Sequence, residues 1–480
     1  MIDRHLFVIF GATGDLGRRK LIPAIYQLTV DFDLSHHAVV LGVASSARDD
    51  PEFRRMARSA LVESGLDDQA VAEWCDRFLH YHRLDTGPGG YDGLAARIAA
   101  VEEEHGLPGN RVFYLALPPG LFAEAIEGLG RAGLAAGPGW TRLVVEKPFG
   151  TDLASARGLN ELVHHWFGES QVYRIDHYLG KETVQNLLVF RFTNPLFERA
   201  WNRDRVRCVE ITVAEDLGIG TRAGFYDDAG ALRDIVQNHL AQVLTLVAMD
   251  PPVRFAADDI RNKKVEVLRA ITPVAPDEVV FGQYTAGTVG GEPVAGYRDE
   301  PGVYPESTTE TAVAMRLGID SWRWEGVPFY IRTGKRFPRR LTRIVVRFQE
   351  APVCLFHGEP DDCHAEPNIL VITLQPEEGF DLLFDVKEPK EATGLRREAL
   401  HFRYEDEFGP LPDAYETLLM DIIEGDQTLF VRGDETEASW RVFGPVIESR
   451  PPVHPYPAGT WGPEEAMELP RRDGFTWFDG

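Results

Sequence analysis

A short apolar run, Leu6-Phe7-Val8-Ile9-Phe10, passes directly into Gly11-Ala12-Thr13-Gly14-Asp15-Leu16-Gly17 and then into a helix-favouring stretch at 18–28. No other feature of the chain narrows its fold as much. An unbroken run of β-branched and aromatic residues reads as a strand buried on both faces. Glycines placed between such a strand and a helix permit the tight backbone through which amide N–H groups reach a pyrophosphate at the helix N-terminus. The spacing here is G-x-x-G-x-x-G, not the usual G-x-G-x-x-G, and a glycine turn with no ligand is the plain alternative. Further strands are expected at 39–43, 112–117 and 143–146, with helices at 51–64, 94–104 and 121–132. Strand and helix in alternation predict parallel βαβ units and a doubly wound, Rossmann-like sheet.

Past residue 175 the pattern changes. Helical stretches at 181–191 and 230–249 are followed by strand-like runs at 309–319, 344–348, 369–375 and 381–386, with another at 206–213 and Pro/Gly-rich loops such as 287–302. These read as a large, mainly antiparallel sheet. A chain of 480 residues exceeds one average domain. The expected organisation is an α/β dinucleotide-binding domain at 1–175 and an α+β substrate-binding and dimerisation domain at 176–480.

With 50 Lys+Arg against 75 Asp+Glu the formal charge is −25, a balance that opposes nonspecific attraction to nucleic acid or anionic membranes. No run nears the roughly 20 apolar residues a membrane span needs, and the N-terminus lacks a signal-peptide pattern. The four cysteines form no CxxC pair, which favours a reducing compartment, so a soluble cytoplasmic protein is expected. Cys354, His357, Cys363 and His364 are the one candidate zinc cluster. Adjacent Cys363 and His364, and the absence of a second spaced pair, argue against it, and no metal is expected.

At the end of the second strand, where a carboxylate selects NAD and a cation selects NADP, the chain reads Ala44-Ser45-Ser46-Ala47-Arg48-Asp49-Asp50. Ser45, Ser46 and Arg48 can accept a 2′-phosphate, which favours NADP, while Asp49 and Asp50 beside Arg48 leave NAD open. Glu146-Lys147-Pro148 sits at the edge of the sheet where ligands gather. In 174–182, a helix beginning near Asp176 puts His177 and Lys181 at i and i+4, with Tyr178 alongside, as donors for a phosphate dianion. A solvated helix start with Asp176 as N-cap is the alternative. In the 230–249 helix, Leu232, Val236, Leu240, Val243, Leu244 and Val247 form an apolar stripe with His239 at its edge. Asp234 lies roughly 140° round an ideal α-helix from His239, so an orienting carboxylate is expected from elsewhere.

GATGDLGRRK near the start, EKPFG at 146–150, RIDHYLGKE at 174–182, RDIVQNHLAQVLTLVAMD at 233–250 and VPFYIRTGKRFPRR at 327–340 occur in order, with WNRD at 201–204, VFGQY at 280–284 and LPDAYE at 411–416. In these segments the chain resembles the glucose 6-phosphate dehydrogenase family across essentially its whole length. The resemblance implies oxidation of glucose 6-phosphate to 6-phosphoglucono-1,5-lactone, the first oxidative step of the pentose phosphate pathway, with NADP, or NAD, as acceptor. It implies His239 as the general base at the C1 hydroxyl and Asp176 as its orienting carboxylate. His177, Tyr178 and Lys181 are implied to hold the 6-phosphate, Lys335 and Arg340 to add cations, Glu215 and Asp234 to bind sugar hydroxyls, and Lys147 to bridge substrate and cofactor. Gly11, Ala12, Thr13, Gly14, Asp15, Leu16, Ser45 and Arg48 are the implied cofactor contacts. An imidazole, titrating ordinarily near pH 6.5, is a competent base at neutral pH when a carboxylate supports its cation. The family commonly carries arginine where Ser45 stands, and lysine or alanine where Gly17 stands, a change expected only to loosen the first helical turn. A homodimer or homotetramer is implied. An oxidoreductase of the glucose–fructose oxidoreductase type and a non-catalytic dinucleotide-binding regulator are the alternative readings; HYLGK and the Lys335–Arg340 pair speak against the first, His239 with Asp176 against the second.

Overall fold

The computed structural model describes residues 2–32, 37–85, 87, 89–220, 222–353, 355, 365–390, 394–409, 411 and 413–479. Cys354, His357, Cys363 and His364 lie outside these residues. The chain forms two compact units: one comprises 1–181, 254–261 and 412–437, the other 182–253, 262–411 and 438–480. The junction nearest the expected 175/176 boundary thus falls after Lys181, and two later segments return to the first unit.

The first unit is built on six parallel strands, β1 (His5–Phe10), β2 (Ala38–Ala44), β3 (Leu79–Arg83), β4 (Arg111–Leu115), β5 (Thr141–Val145) and β6 (Val172–Arg174), in the order β3-β2-β1-β4-β5-β6. Every residue of β1 is buried, as its apolar run predicts, and β1 pairs with β2 and β4. That pairing places the turn after β1 where the strand order reverses, the position at which open α/β sheets take ligands. The returning segments are structural parts of this unit. Arg142 donates to the carbonyls of Ile422 and Ile423 at 2.5 and 2.7 Å. Arg174, buried, donates to Glu169 at 2.6 Å, Asn160 at 3.0 Å and the Val431 carbonyl. A buried guanidinium needs such a set of acceptors, since an unpaired one is costly.

The second unit contains a nine-stranded sheet. Its strands are β7 (Val206–Ala214), β8 (Val279–Thr285), β11 (Ala312–Leu317), β12 (Phe329–Gly334), β13 (Leu341–Phe348), β14 (Ile369–Gln375), β15 (Gly379–Lys387), β16 (Leu395–Arg403) and β17 (Val453–Pro457). A separate hairpin, β9 (Gly287–Val289) and β10 (Glu292–Val294), accounts for the missing numbers. The order is β16-β15-β14-β13-β7-β12-β11-β8-β17. The sheet is mostly antiparallel, with parallel pairs at β7–β12 and β8–β17. The 287–302 stretch, expected as loop, holds that hairpin because Gly290 and Gly291 both take left-handed φ and close a tight turn.

The helix carrying Asp234 and His239 also differs from expectation. Gly230, at φ 68 and ψ 173, breaks the chain, and the helix begins at Leu232. From 234 to 248 every residue is buried, so the helix has no solvent face and the expected stripe is only part of a fully enclosed surface. No helix among the described residues is long and apolar enough to cross a membrane.

Candidate active site

In the first unit the glycine turn leaves β1 with Gly11 at φ 73, and a Cβ there would lie 2.1 Å from the Ala116 carbonyl oxygen beyond β4. Only glycine fits that conformation and that approach. Thr13 and Leu16 are half-buried, Gly14 and Asp15 exposed, so the turn is open to a ligand. Gly17 does more than loosen the helix: a Cβ at this position would come within 2.8 Å of the Ala12 oxygen. Its absence lets the first turn, a π-helical stretch Gly17–Leu21, close down on Ala12.

At the end of β2 the two carboxylates that left cofactor choice open are both engaged. Asp49 caps the helix Asp50–Glu63, accepting the Glu52 N–H at 2.9 Å while the Glu52 side chain accepts from Asp49 at 3.1 Å. Asp50 accepts the Tyr81 N–H at 2.7 Å and pairs with Arg97 at 2.7 Å. Ser45 and Arg48 are exposed. Ser46 shares a 2.8 Å hydrogen bond with the Tyr81 hydroxyl. Arg83, which sequence reasoning missed, ends β3 directly beside Ala44 in the sheet register and lies 3.5 Å from Asp85.

Glu146, before Lys147, accepts the Tyr114 hydroxyl at 2.5 Å and is 3.4 Å from the Tyr415 hydroxyl. Burial raises its carboxyl above the usual range, and these two donors oppose that rise. The segment after β6 is not a helix start. Residues 177–180 form turns and the helix Glu182–Thr193 begins later. Asp176 accepts the Tyr178 N–H at 3.0 Å, and backbone bonds run from Leu179 to Asp176 and from Lys181 to Tyr178. Gly180 packs tightly here, since a Cβ would lie 2.6 Å from the Ala414 carbonyl oxygen. The expected trio still assembles by a different geometry. The Lys181 ammonium lies 4.5 Å from the Tyr178 ring centre and the His177 ring 5.1 Å from it.

In the second unit His239 is 1% exposed, and its N–H donates to the Asn238 side chain at 2.6 Å. The 232–240 stretch is π-helical. In an i→i+5 helix residues five apart stack on one face, so the α-helical angle that separated Asp234 from His239 does not hold. Lys335, beyond β12, pairs with Glu215 at 2.5 Å and stands 5.0 Å from the Tyr226 ring centre. Arg340 lies elsewhere in this unit. It is exposed, bonds Gln375 at 3.3 Å, and lines a groove with Arg343, Asp381 and His401 that includes neither Lys335 nor Glu215. Two residues that sequence reasoning missed stand at this site. The Tyr226 hydroxyl is buried without a hydrogen-bond partner among the described residues, and Glu310 accepts the Leu232 N–H at 3.1 Å. Glu310 falls inside the 309–319 stretch that reads as a strand, and nothing in the sequence around Tyr226 marks it.

A family model described as the NAD binding domain of glucose-6-phosphate dehydrogenase matches residues 8–186, and one described as its C-terminal domain matches 188–478. The chain belongs to the glucose-6-phosphate dehydrogenase family. It is 44% identical over 481 residues to the glucose-6-phosphate 1-dehydrogenase of Aggregatibacter actinomycetemcomitans, covering 98% of this chain and 96% of that one. It is also 44% identical over 493 residues to that of Mycolicibacterium smegmatis, covering 100% and 98%. Among solved structures, a glucose-6-phosphate dehydrogenase in complex with its substrate glucose-6-phosphate superposes with a TM-score of 0.92 at 34% identity, covering 100% of this chain and 99% of that one. A glucose-6-phosphate 1-dehydrogenase from Mycobacterium avium gives 0.86 at 38% identity, covering the same shares. Both alternative readings are thereby disfavoured.

Proposed function

We propose that the protein is a glucose-6-phosphate 1-dehydrogenase that oxidises C1 of glucose 6-phosphate to 6-phosphoglucono-1,5-lactone with NADP as the favoured acceptor. The observation that carries this reading is the His177–Tyr178–Lys181 turn, a compact donor group suited to a phosphate dianion, in a chain that matches the family from end to end. The open Gly11 turn fits a dinucleotide pyrophosphate. With Asp49 and Asp50 engaged elsewhere, the exposed Ser45 and Arg48, with Ser46 and Arg83 beside them, are the groups to meet a ribose 2′-substituent, which supports NADP over NAD.

In this reading His239 removes the C1 hydroxyl proton as the C1–H bond breaks and C1=O forms, and Asp176 supports the resulting imidazolium. The nicotinamide, when bound, accepts the hydride. Lys181, His177 and Tyr178 hold the phosphate, and anchoring that end limits the orientations open to the sugar. Glu215 and Asp234 accept from sugar hydroxyls, Lys335 supplies a cation, and Lys147 bridges sugar and cofactor. We further place the enzyme in the cytoplasm, in keeping with four cysteines that form no CxxC pair, and as a homo-oligomer, which the family resemblance implies.

Steady-state assays with glucose 6-phosphate and free glucose, each with NADP and NAD, test the whole reading. Replacing His239 with Asn is expected to lower turnover by about 10²–10⁴-fold with KM within a few fold. In Lys181→Ala, KM for the sugar phosphate is expected to rise about 10–100-fold. Equal use of free glucose, or full turnover in H239N, defeats the proposal.

A further inference from the structure

The helix that carries Asp234 and His239 starts abruptly at Leu232, and the first N–H groups of any helix need partners from outside it. Two of these partners come from one residue. The Glu310 carbonyl oxygen accepts the Ala231 N–H at 3.0 Å, and its side-chain oxygen accepts the Leu232 N–H at 3.1 Å. Glu310 is distant in sequence and lies just before β11. Gly230 is fitted to it, since a Cβ there would stand 2.2 Å from the Glu310 side-chain oxygen.

The neighbouring Thr311 is tied just as closely to Lys335. Thr311 is fully buried; its N–H donates to Gly282 at 2.8 Å and its carbonyl accepts the Lys335 N–H at 2.9 Å. Its hydroxyl accepts the Tyr284 N–H at 3.0 Å and meets the Tyr456 hydroxyl at 3.2 Å, and Tyr456 in turn donates to the Lys335 carbonyl at 2.6 Å. Two consecutive residues therefore grip the start of one helix and the end of one strand.

The structure assigns Glu310 a positioning role: it caps the helix bearing the general base and, through Thr311, sets that helix against the strand end bearing Lys335. The assignment rests on His239 being the base. Small displacements of a catalytic group lower the chemical rate far more than they weaken substrate binding, so the effect belongs in kcat.

The full-length enzyme carrying Glu310→Ala, with kcat expressed per molecule competent to bind NADPH by fluorescence titration, tests this. The expected result is a kcat at least about tenfold lower, KM for glucose 6-phosphate within threefold, and unchanged NADPH affinity. Glu310→Gln, which keeps an oxygen acceptor for the Leu232 N–H, is expected to restore kcat to within about threefold. Wild-type kcat in E310A overturns the proposal, as does a loss that E310Q fails to restore. If E310A does not bind NADPH, Glu310→Asp decides: it keeps the charge but shortens the reach, and a wild-type kcat in E310D is equally fatal. H239N run in parallel separates the two readings. Full activity there removes the base and this proposal together, whereas inactive H239N beside fully active E310A removes this proposal alone.

Discussion

A carboxyl set among the Leu232 N–H, Arg233, Tyr226 and Tyr297 answers to pH differently from one in water. Burial raises Glu310 to about 7 from 4.5, opposed by the backbone N–H bonds and by Arg233. Its folded value thus lies above its unfolded one. Its protonated form favours the fold fully below pH 4.5, and that contribution is lost as pH rises through about 7, a difference of about 3 kcal/mol. Glu310→Gln is therefore expected to raise the thermal midpoint relative to the wild type at pH 8 and to change it little at pH 4.5. Calorimetry at the two pH values checks this, and equal shifts at both contradict the assignment of a raised carboxyl. At this scale the sequence was half legible. His239 and Lys181 announced themselves by residue type and company, but Glu310 sits in a stretch, 309–319, that reads as a strand, and nothing there marks a cap, because the helix end it serves is 78 residues away.

Elements were legible where burial is uniform and obscure where it is mixed. β1 follows from five consecutive apolar residues. β3, Leu79-His80-Tyr81-His82-Arg83, escaped notice because its sequence is half polar; His80 is nonetheless buried, and burial pushes its imidazole down to about 4. The helix expected at 181–191 is found at Glu182–Thr193, whereas residues 177–180 form turns, so a helix beginning near Asp176 does not occur. The π-helical 232–240 stretch has no side-chain signature, so an angle computed for an α-helix does not apply there. The abrupt start of that helix makes its own prediction. Gly230→Ala imposes a left-handed φ on a residue with a Cβ and drives that Cβ against Glu310, and a destabilisation of about 2–4 kcal/mol is expected. Denaturant unfolding measures it, and a change below about 0.5 kcal/mol is incompatible with the observed break.

For the whole molecule, a charge of −25 proved to say little about an anionic substrate, because the groups proposed to bind it are few and local. Length and alternation forecast two units, but no linear reading shows that the first is completed by 254–261 and 412–437. Those returns are contacts between distant segments, and single-sequence patterns are blind to them. A fragment of residues 1–181 lacks the acceptors at Ile422, Ile423 and Val431 that satisfy Arg142 and Arg174. It is expected to show poor amide-exchange protection in β5 and β6, and to gain it when 412–437 is fused to its end. Full protection in the short fragment contradicts this dependence.

The same returns bear on how the chain is made. A ribosome delivers residues in order, and the usual N-terminal domain folds while the remainder is still being synthesised. Here the dinucleotide unit cannot close its sheet edge until residues 412–437 have been made. Nascent chains stalled before residue 412 therefore expose the seat of the helix Ala414–Glu424, and this unit, first in the sequence, finishes late.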